Sequence, residues 1–184
     1  MVEFDSKLHK YTEDGKDYPS VTQILKDCGL IDVSWYTEDS ALKGTYIHDV
    51  LREIDEGALP LMLDISEDIA GYIDAYLRFK KENDYRIEAI EKPLINKTLE
   101  LAGTPDRIAT LNRKACIIDI KTGGKERWHG VQLSGYLMLI DSGDYELFGL
   151  YLSKDGKYRL ETYRDKAFRG IFMSCLNLYH WKRQ

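Results

Sequence analysis

Five consecutive residues, Ile117-Ile118-Asp119-Ile120-Lys121, constrain the fold of this chain more than any other stretch. On a strand, side chains two apart share a face, so Ile118 and Ile120 are expected in a core while Asp119 and Lys121 project together from the opposite side. Upstream, Arg107-Ile108-Ala109-Thr110-Leu111 reads as a second short strand, and the polar turn Asn112-Arg113-Lys114 joins the two into a hairpin. Antiparallel pairing through that turn brings Asp106 beside Asp119 and Lys121.

Two adjacent carboxylates favour a hard cation with oxygen ligands, Mg²⁺ or Mn²⁺, which activates water and neutralises charge building on a phosphate. A lysine alongside orients the water or stabilises a leaving oxyanion. The ordinary alternative for an Asp-x-Lys pattern is a surface ion pair on an edge strand.

Two helices bear on the same chemistry. Over residues 41–56, Ile47, Val50, Leu51 and Ile54 fall at i, i+3, i+4 and i+7, the spacing of a buried stripe. His48 stands at its margin, and Gly44, one turn earlier, leaves room for a backbone, an ion or a phosphate. Taken alone, a histidine there reads first as a hydrogen-bonded core or boundary residue, and only the downstream acidic pair turns the reading toward a ligand. Gln132 and Tyr136 lie four apart on a helix marked by Val131, Leu133, Leu137 and Ile140, so they reach the same neighbour. Without such a neighbour, Tyr136 reads as a packed aromatic.

Four ordered segments resemble the PD-(D/E)XK nuclease superfamily, specifically its RecB-like and phage-type exonuclease branch, which includes the mitochondrial genome-maintenance exonucleases. Thr104-Pro105-Asp106 followed by Asp119-Ile120-Lys121 is similar to the signature, with Asp where some members carry Glu. Gln132-Leu133-Ser134-Gly135-Tyr136 resembles the QxxxY element, Gly44-Thr45-Tyr46-Ile47-His48 the upstream histidine motif, and Tyr18-Pro19-Ser20-Val21-Thr22-Gln23-Ile24-Leu25 an amino-terminal PSVTxIL segment. The resemblance implies an α/β fold with a restriction-endonuclease-like core, a mixed central β-sheet flanked by helices. It also implies that Asp106, Asp119, the Ile120 backbone carbonyl and His48 hold one or two Mg²⁺ or Mn²⁺ ions, with Lys121 as the catalytic lysine. Gln132 and Tyr136 would support the lysine or contact DNA. Glu91, on a strand just before the hairpin, is either a ligand acting through water or a charge on an edge strand that Pro93 ends.

Length and composition agree with one domain over residues 1–184: amino-terminal strands and helices over 1–84, and a catalytic sheet core over 85–184. The expected order is two strands joined at Glu13-Asp14-Gly15-Lys16, helices over 20–28, 41–56 and 67–82, and a strand over 85–96. The signature hairpin, the Gln132 helix, a hairpin around Asp155-Gly156 and a final helix follow. No apolar run approaches membrane-spanning length and residues 1–10 have no apolar leader core, so a cytoplasmic protein without a membrane partner is expected. Cys28, Cys116 and Cys175 are too few for the four-cysteine iron–sulfur set of some RecB-like nucleases. Thr122-Gly123-Gly124-Lys125 lacks the spacing of a phosphate loop, so no nucleotide cofactor is expected and any helicase or recombination partner is a separate protein.

A formal net charge of −5 departs from the basic excess usual for nucleic-acid binders. A local basic track can nonetheless coexist with an acidic exterior. Its candidates are Arg107, Lys125, Arg127, Lys182 and Arg183, with Trp35, Trp128 and Trp181 available to stack on unpaired bases. Together these features point to a metal-dependent deoxyribonuclease, an exonuclease on single-stranded or end-accessible DNA in recombination, replication or repair. The competing expectations are a structure-selective endonuclease, a noncatalytic DNA-binding or regulatory subunit, and an acidic protein that engages another protein's basic surface.

Overall fold

The computed structural model describes residues 2–5, 8–32, 37–57, 66–140 and 143–184. Trp35 lies outside the described residues. Three short strands, β1 (Glu3–Asp5), β2 (Lys10–Glu13) and β3 (Lys16–Tyr18), form an antiparallel sheet in which Phe4 pairs with Tyr11 and Tyr11 with Tyr18. The turn at Asp14 and Gly15 has positive φ at both residues, the twist a two-residue hairpin requires. Strand β1 was not expected, since three residues are too few to show an alternation.

Helix α1 (Val21–Asp27) begins with a reciprocal capping box: Ser20 Oγ accepts the Gln23 N–H at 3.1 Å, and Gln23 Oε1 accepts the Ser20 N–H at 2.8 Å. Helix α2 (Glu38–Asp55) is capped by Thr37, and α3 (Glu67–Glu82) follows Ser66. All three helices were expected, with α2 beginning three residues earlier.

The segment 85–96, expected as one strand, is two. Strand β4 (Tyr85–Ile90) belongs to one sheet, and β5 (Leu94–Asn96) pairs instead with β6 (Leu101–Gly103). Glu91 adopts φ 42° between them, and Pro93 removes a backbone donor that a continuous strand would use.

The larger sheet contains β7 (Arg107–Leu111), β8 (Lys114–Lys121), β9 (Glu146–Leu152) and β10 (Tyr158–Thr162), in the order β10-β9-β8-β7-β4. The β7–β8 hairpin turns at Asn112 and Arg113, both with positive φ, and places Arg107 opposite Ile118. Strands β8 and β9 are parallel, so the chain crosses between them through α4 (His129–Leu137); all other pairs are antiparallel. The final helix, α5, spans Ala167–Trp181. This is the mixed α/β core expected from the sequence.

Strand β8 is central and buried on both faces, which excludes the edge-strand alternative for Asp119 and Lys121. Ile118 and Ile120 enter a core with Ile47 and Leu51 of α2 and Ile73 and Phe79 of α3. Ile117, on the opposite face with Asp119, joins Val21 and Ile24 of α1, Leu133 and Tyr136 of α4, and Phe172 of α5. Burying one such aliphatic side chain contributes about 1.5–3 kcal/mol, so the sheet is clamped from both sides and the end of β8 is held between α2 and α4. Among the described residues, no helix is long and apolar enough to cross a membrane.

Candidate active site

At the carboxyl end of β8 a cavity of about 390 Å³ opens between α2 and α4. Asp106, Asp119, Ile120, Lys121, His48, Gln132, Tyr136 and Trp128 all line it, so the structure brings together eight of the ten expected site residues. Exposed Ser40, Gly123 and Gly124 form its mouth, while Asp119, Ile120 and Gln132 are buried at its base.

The two acids are fixed differently. Asp106 precedes β7, and its Oδ2 accepts the Ile120 N–H at 2.6 Å, which anchors the carboxylate to β8 and leaves Oδ1 facing His48 Nδ1 at 3.7 Å. That separation is too long for a hydrogen bond. Asp119 is only 2% exposed. Lys121 Nζ lies 2.6 Å from its Oδ2, so the buried carboxylate and the ammonium form an ion pair inside the site. Burial, opposed by the Lys121 charge and reinforced by Asp106, pushes the Asp119 carboxyl up to about 6.

Lys121 is aimed by α4. Its Nζ donates to Gln132 Oε1 at 3.0 Å and sits 5.2 Å from the Trp128 ring centroid, a cation–π distance. Gln132 Nε2 in turn donates to the Tyr136 hydroxyl at 3.1 Å and reaches Thr22 Oγ1 at 3.4 Å. The PSVTxIL and QxxxY segments therefore meet behind the lysine. Burial, with Asp119 and Asp106 beside it, keeps the Tyr136 phenol protonated.

A divalent cation suits this donor set. Two carboxylates and a backbone carbonyl are the hard oxygen ligands that suit Mg²⁺ or Mn²⁺, the His48 imidazole adds a borderline nitrogen donor, and the buried Asp119 carboxylate has the Lys121 ammonium as its charge partner. Among the described residues no three His, Cys, Asp or Glu side chains close into a complete cage. The Lys121 ammonium occupies part of that space and compensates Asp119 itself. A cation would be completed by water and phosphate oxygens, as is usual for Mg²⁺.

Two expectations are corrected. Arg107, expected on a DNA-binding track, is fully buried; its Nε donates to Asp55 Oδ2 at 2.7 Å and its Nη1 to the Asp106 carbonyl at 2.8 Å. It braces Asp106 from behind and cannot touch DNA. Glu91, expected as a ligand, is turned away from the cavity: its carboxylate meets Arg52 at 3.1 Å and Arg107 at 3.7 Å, and only its backbone N–H reaches the Asp106 carbonyl. Of the other basic-track candidates, Lys125 pairs with Glu161, and Lys182 and Arg183 with Asp27.

Sequence reasoning missed Thr22, Thr122 and His129. His129 was findable, because it shares the helical face of Gln132 and Tyr136 at the i, i+3, i+7 spacing. Thr22 becomes visible only once α1 is packed against α4.

The profile of the PD-(D/E)XK nuclease superfamily matches residues 61–168, more than half of the chain, a span that includes Asp106, Asp119, Lys121, Gln132 and Tyr136 but not His48 or Thr22. No curated protein matches the sequence significantly. Among solved structures, the crystal structure of an alkaline exonuclease (LHK-Exo) from Laribacter hongkongensis is 12% identical, with a TM-score of 0.49 over 90% of this chain and 87% of that one. The crystal structure of SSO0001 is 15% identical, with a TM-score of 0.32 over 86% and 84%.

Proposed function

This chain belongs to the PD-(D/E)XK nuclease superfamily, and from that premise we propose that it is a metal-dependent deoxyribonuclease acting on single-stranded or end-accessible DNA. The observation that carries the reading is the convergence of Asp106, Asp119, Lys121 and Gln132 in one cavity at the end of a doubly buried strand. A surface ion pair needs neither the burial of Asp119 nor a glutamine to aim the lysine.

Asp106, Asp119, the Ile120 carbonyl and His48 would hold Mg²⁺ or Mn²⁺. When bound, the cation supplies charge neutralisation at the phosphate and lowers the pKa of water. The chain's own groups do the rest. Asp106, locked to the Ile120 N–H, keeps its Oδ1 toward the cavity. Lys121, held by Gln132 and Trp128, offers an N–H to align the attacking water or to meet charge on the phosphate. The burial of Asp119 at the base of the cavity strengthens its interaction with the charges beside it.

Exonuclease action on a strand end is the mode proposed here; the same acids and lysine would serve an endonuclease, and the need for a free DNA end separates the two. Such an enzyme would serve recombination, replication or repair, with any helicase or recombination protein as a separate partner.

Covalently closed and linear single-stranded DNA of one sequence, incubated with the chain in Mg²⁺, Mn²⁺ or EDTA, tests the reading. Loss of the linear form alone, and only with metal, is expected. Cutting of circles would make the chain an endonuclease, and binding without any cleavage would make it a noncatalytic subunit.

A further inference from the structure

The cavity wall carries a buried imidazole to which the chemistry above gives no task. His129 is 3% exposed, lies in the first turn of α4 and lines the cavity with Lys121. Its Nδ1 faces inward: the Glu126 backbone N–H donates to it at 3.3 Å, and the Tyr151 hydroxyl lies 2.6 Å away. A backbone N–H only donates, so Nδ1 holds the lone pair and the ring proton resides on Nε2. Tyr151 then donates to Nδ1 as the shorter, stronger partner, and accepts from the Tyr163 hydroxyl at 2.6 Å. The Glu126 N–H thus sets the tautomer, and the Tyr151 hydroxyl, backed by Tyr163, helps hold the ring in place.

Nε2 is the remaining polar atom. The hydrogen bonds of the ring among the described residues all fall on Nδ1, and the ring lines the cavity beside Lys121. Burial, with the Lys121 charge second, pushes the imidazole pKa down to about 3, so the ring stays neutral. We infer that His129 contacts the substrate, its Nε2–H donating to a phosphate oxygen of the strand held beside Lys121. A neutral donor adds a directed hydrogen bond without setting a second fixed positive charge against the lysine. The inference rests on the nuclease reading for its substrate, while the state of the ring stands independently of it.

The test is single-turnover cleavage of a 5′-labelled oligonucleotide in Mg²⁺ by the wild-type chain and by His129→Phe, His129→Gln and Tyr151→Phe, with a thermal melt of each. Imidazole ¹⁵N spectra of the wild type are recorded with and without the oligonucleotide in Ca²⁺. His129→Phe is expected to slow the chemical step about 100-fold, with half-saturation changed far less. His129→Gln, which keeps an N–H donor, should recover most of the rate, and Tyr151→Phe should lose rate although it touches no substrate. The spectra should show one neutral Nε2–H tautomer whose Nε2 signal moves on adding DNA. A folded His129→Phe at the wild-type rate, or an Nε2 signal that DNA leaves unmoved, would overturn the inference. If His129→Phe fails to fold, the glutamine variant and the spectra decide. A wild type that cleaves nothing would defeat the nuclease reading instead, and the DNA-dependent shift would still test the contact.

Discussion

The ammonium of Lys121 donates to Gln132 Oε1 at 3.0 Å, so a side chain of α4 sets the direction of the last residue of β8. Because Gln132 also holds Tyr136 and Thr22, the lysine is coupled to α1 through a single amide. Replacing Gln132 by Leu keeps the bulk and removes the acceptor. The expected result is a fall in kcat of about 10- to 100-fold with a small change in KM, since positioning mainly affects the transition state. Steady-state kinetics on a linear oligonucleotide checks this; an unchanged kcat would mean that Lys121 needs no guide.

Asp119 should cost stability in the metal-free protein. Burial raises its carboxyl to about 6 in the folded state from the ordinary aspartate value of 3.8, so the folded chain binds that proton more tightly than the unfolded chain. The cost is absent below the unfolded value, grows as pH rises between the two, and is constant above about 6. Asp119→Asn, permanently neutral, should therefore melt several degrees higher than wild type at pH 8 in EDTA, a gain of about 3 kcal/mol. The difference should vanish toward pH 4. Equal melting temperatures at pH 8 would contradict a carboxylate whose burial outweighs its pairing with Lys121.

Arg107 separates bracing from DNA binding. Its guanidinium is fully buried against Asp55, and truncating one partner of a buried ion pair costs about 3–5 kcal/mol. Arg107→Ala should unfold at markedly lower denaturant concentration. In conditions where it remains folded, the salt dependence of DNA affinity should keep the wild-type slope, because no phosphate contact has been removed. A slope reduced by about one unit would return Arg107 to the DNA interface.

Gly135, between Gln132 and Tyr136, is a packing requirement rather than a chemical one. A Cβ there would lie 2.6 Å from the Phe172 ring and 2.8 Å from Val21 Cγ1, closer than such atoms approach. Gly135→Ala should lower the melting temperature through overpacking of about 1–3 kcal/mol, while the folded fraction keeps its metal requirement. An unchanged melting temperature would show that α1 and α5 give way without cost.

Much of this was legible because it follows from alternation and local turn chemistry. Ile118 and Ile120 against Asp119 and Lys121 gave the two faces of β8, and Asn112-Arg113 gave the hairpin that sets Asp106 beside them. The same alternation argues against Arg107 as a DNA contact, since it falls on the inward face with Ala109 and Leu111. Its counter-ion, Asp55, lies 52 positions away and no local pattern announces it. Strand β8 being central rather than an edge depends on the parallel pairing with β9, a long-range contact invisible to periodicity. Glu91 was misplaced for a related reason: the break at φ 42° turns its carboxylate toward Arg52, and only the folded backbone shows that turn.

The most direct measurement is single-turnover cleavage of an end-labelled oligonucleotide by wild type, Asp119→Asn and Lys121→Ala, each in Mg²⁺, Mn²⁺ and EDTA, with folding checked by melting. Metal-dependent cleavage by wild type is expected, silent in EDTA and reduced by at least about 100-fold in both folded variants. Cleavage that persists in EDTA, or that both variants retain at the wild-type rate, would contradict a metal-dependent site built on Asp106, Asp119 and Lys121.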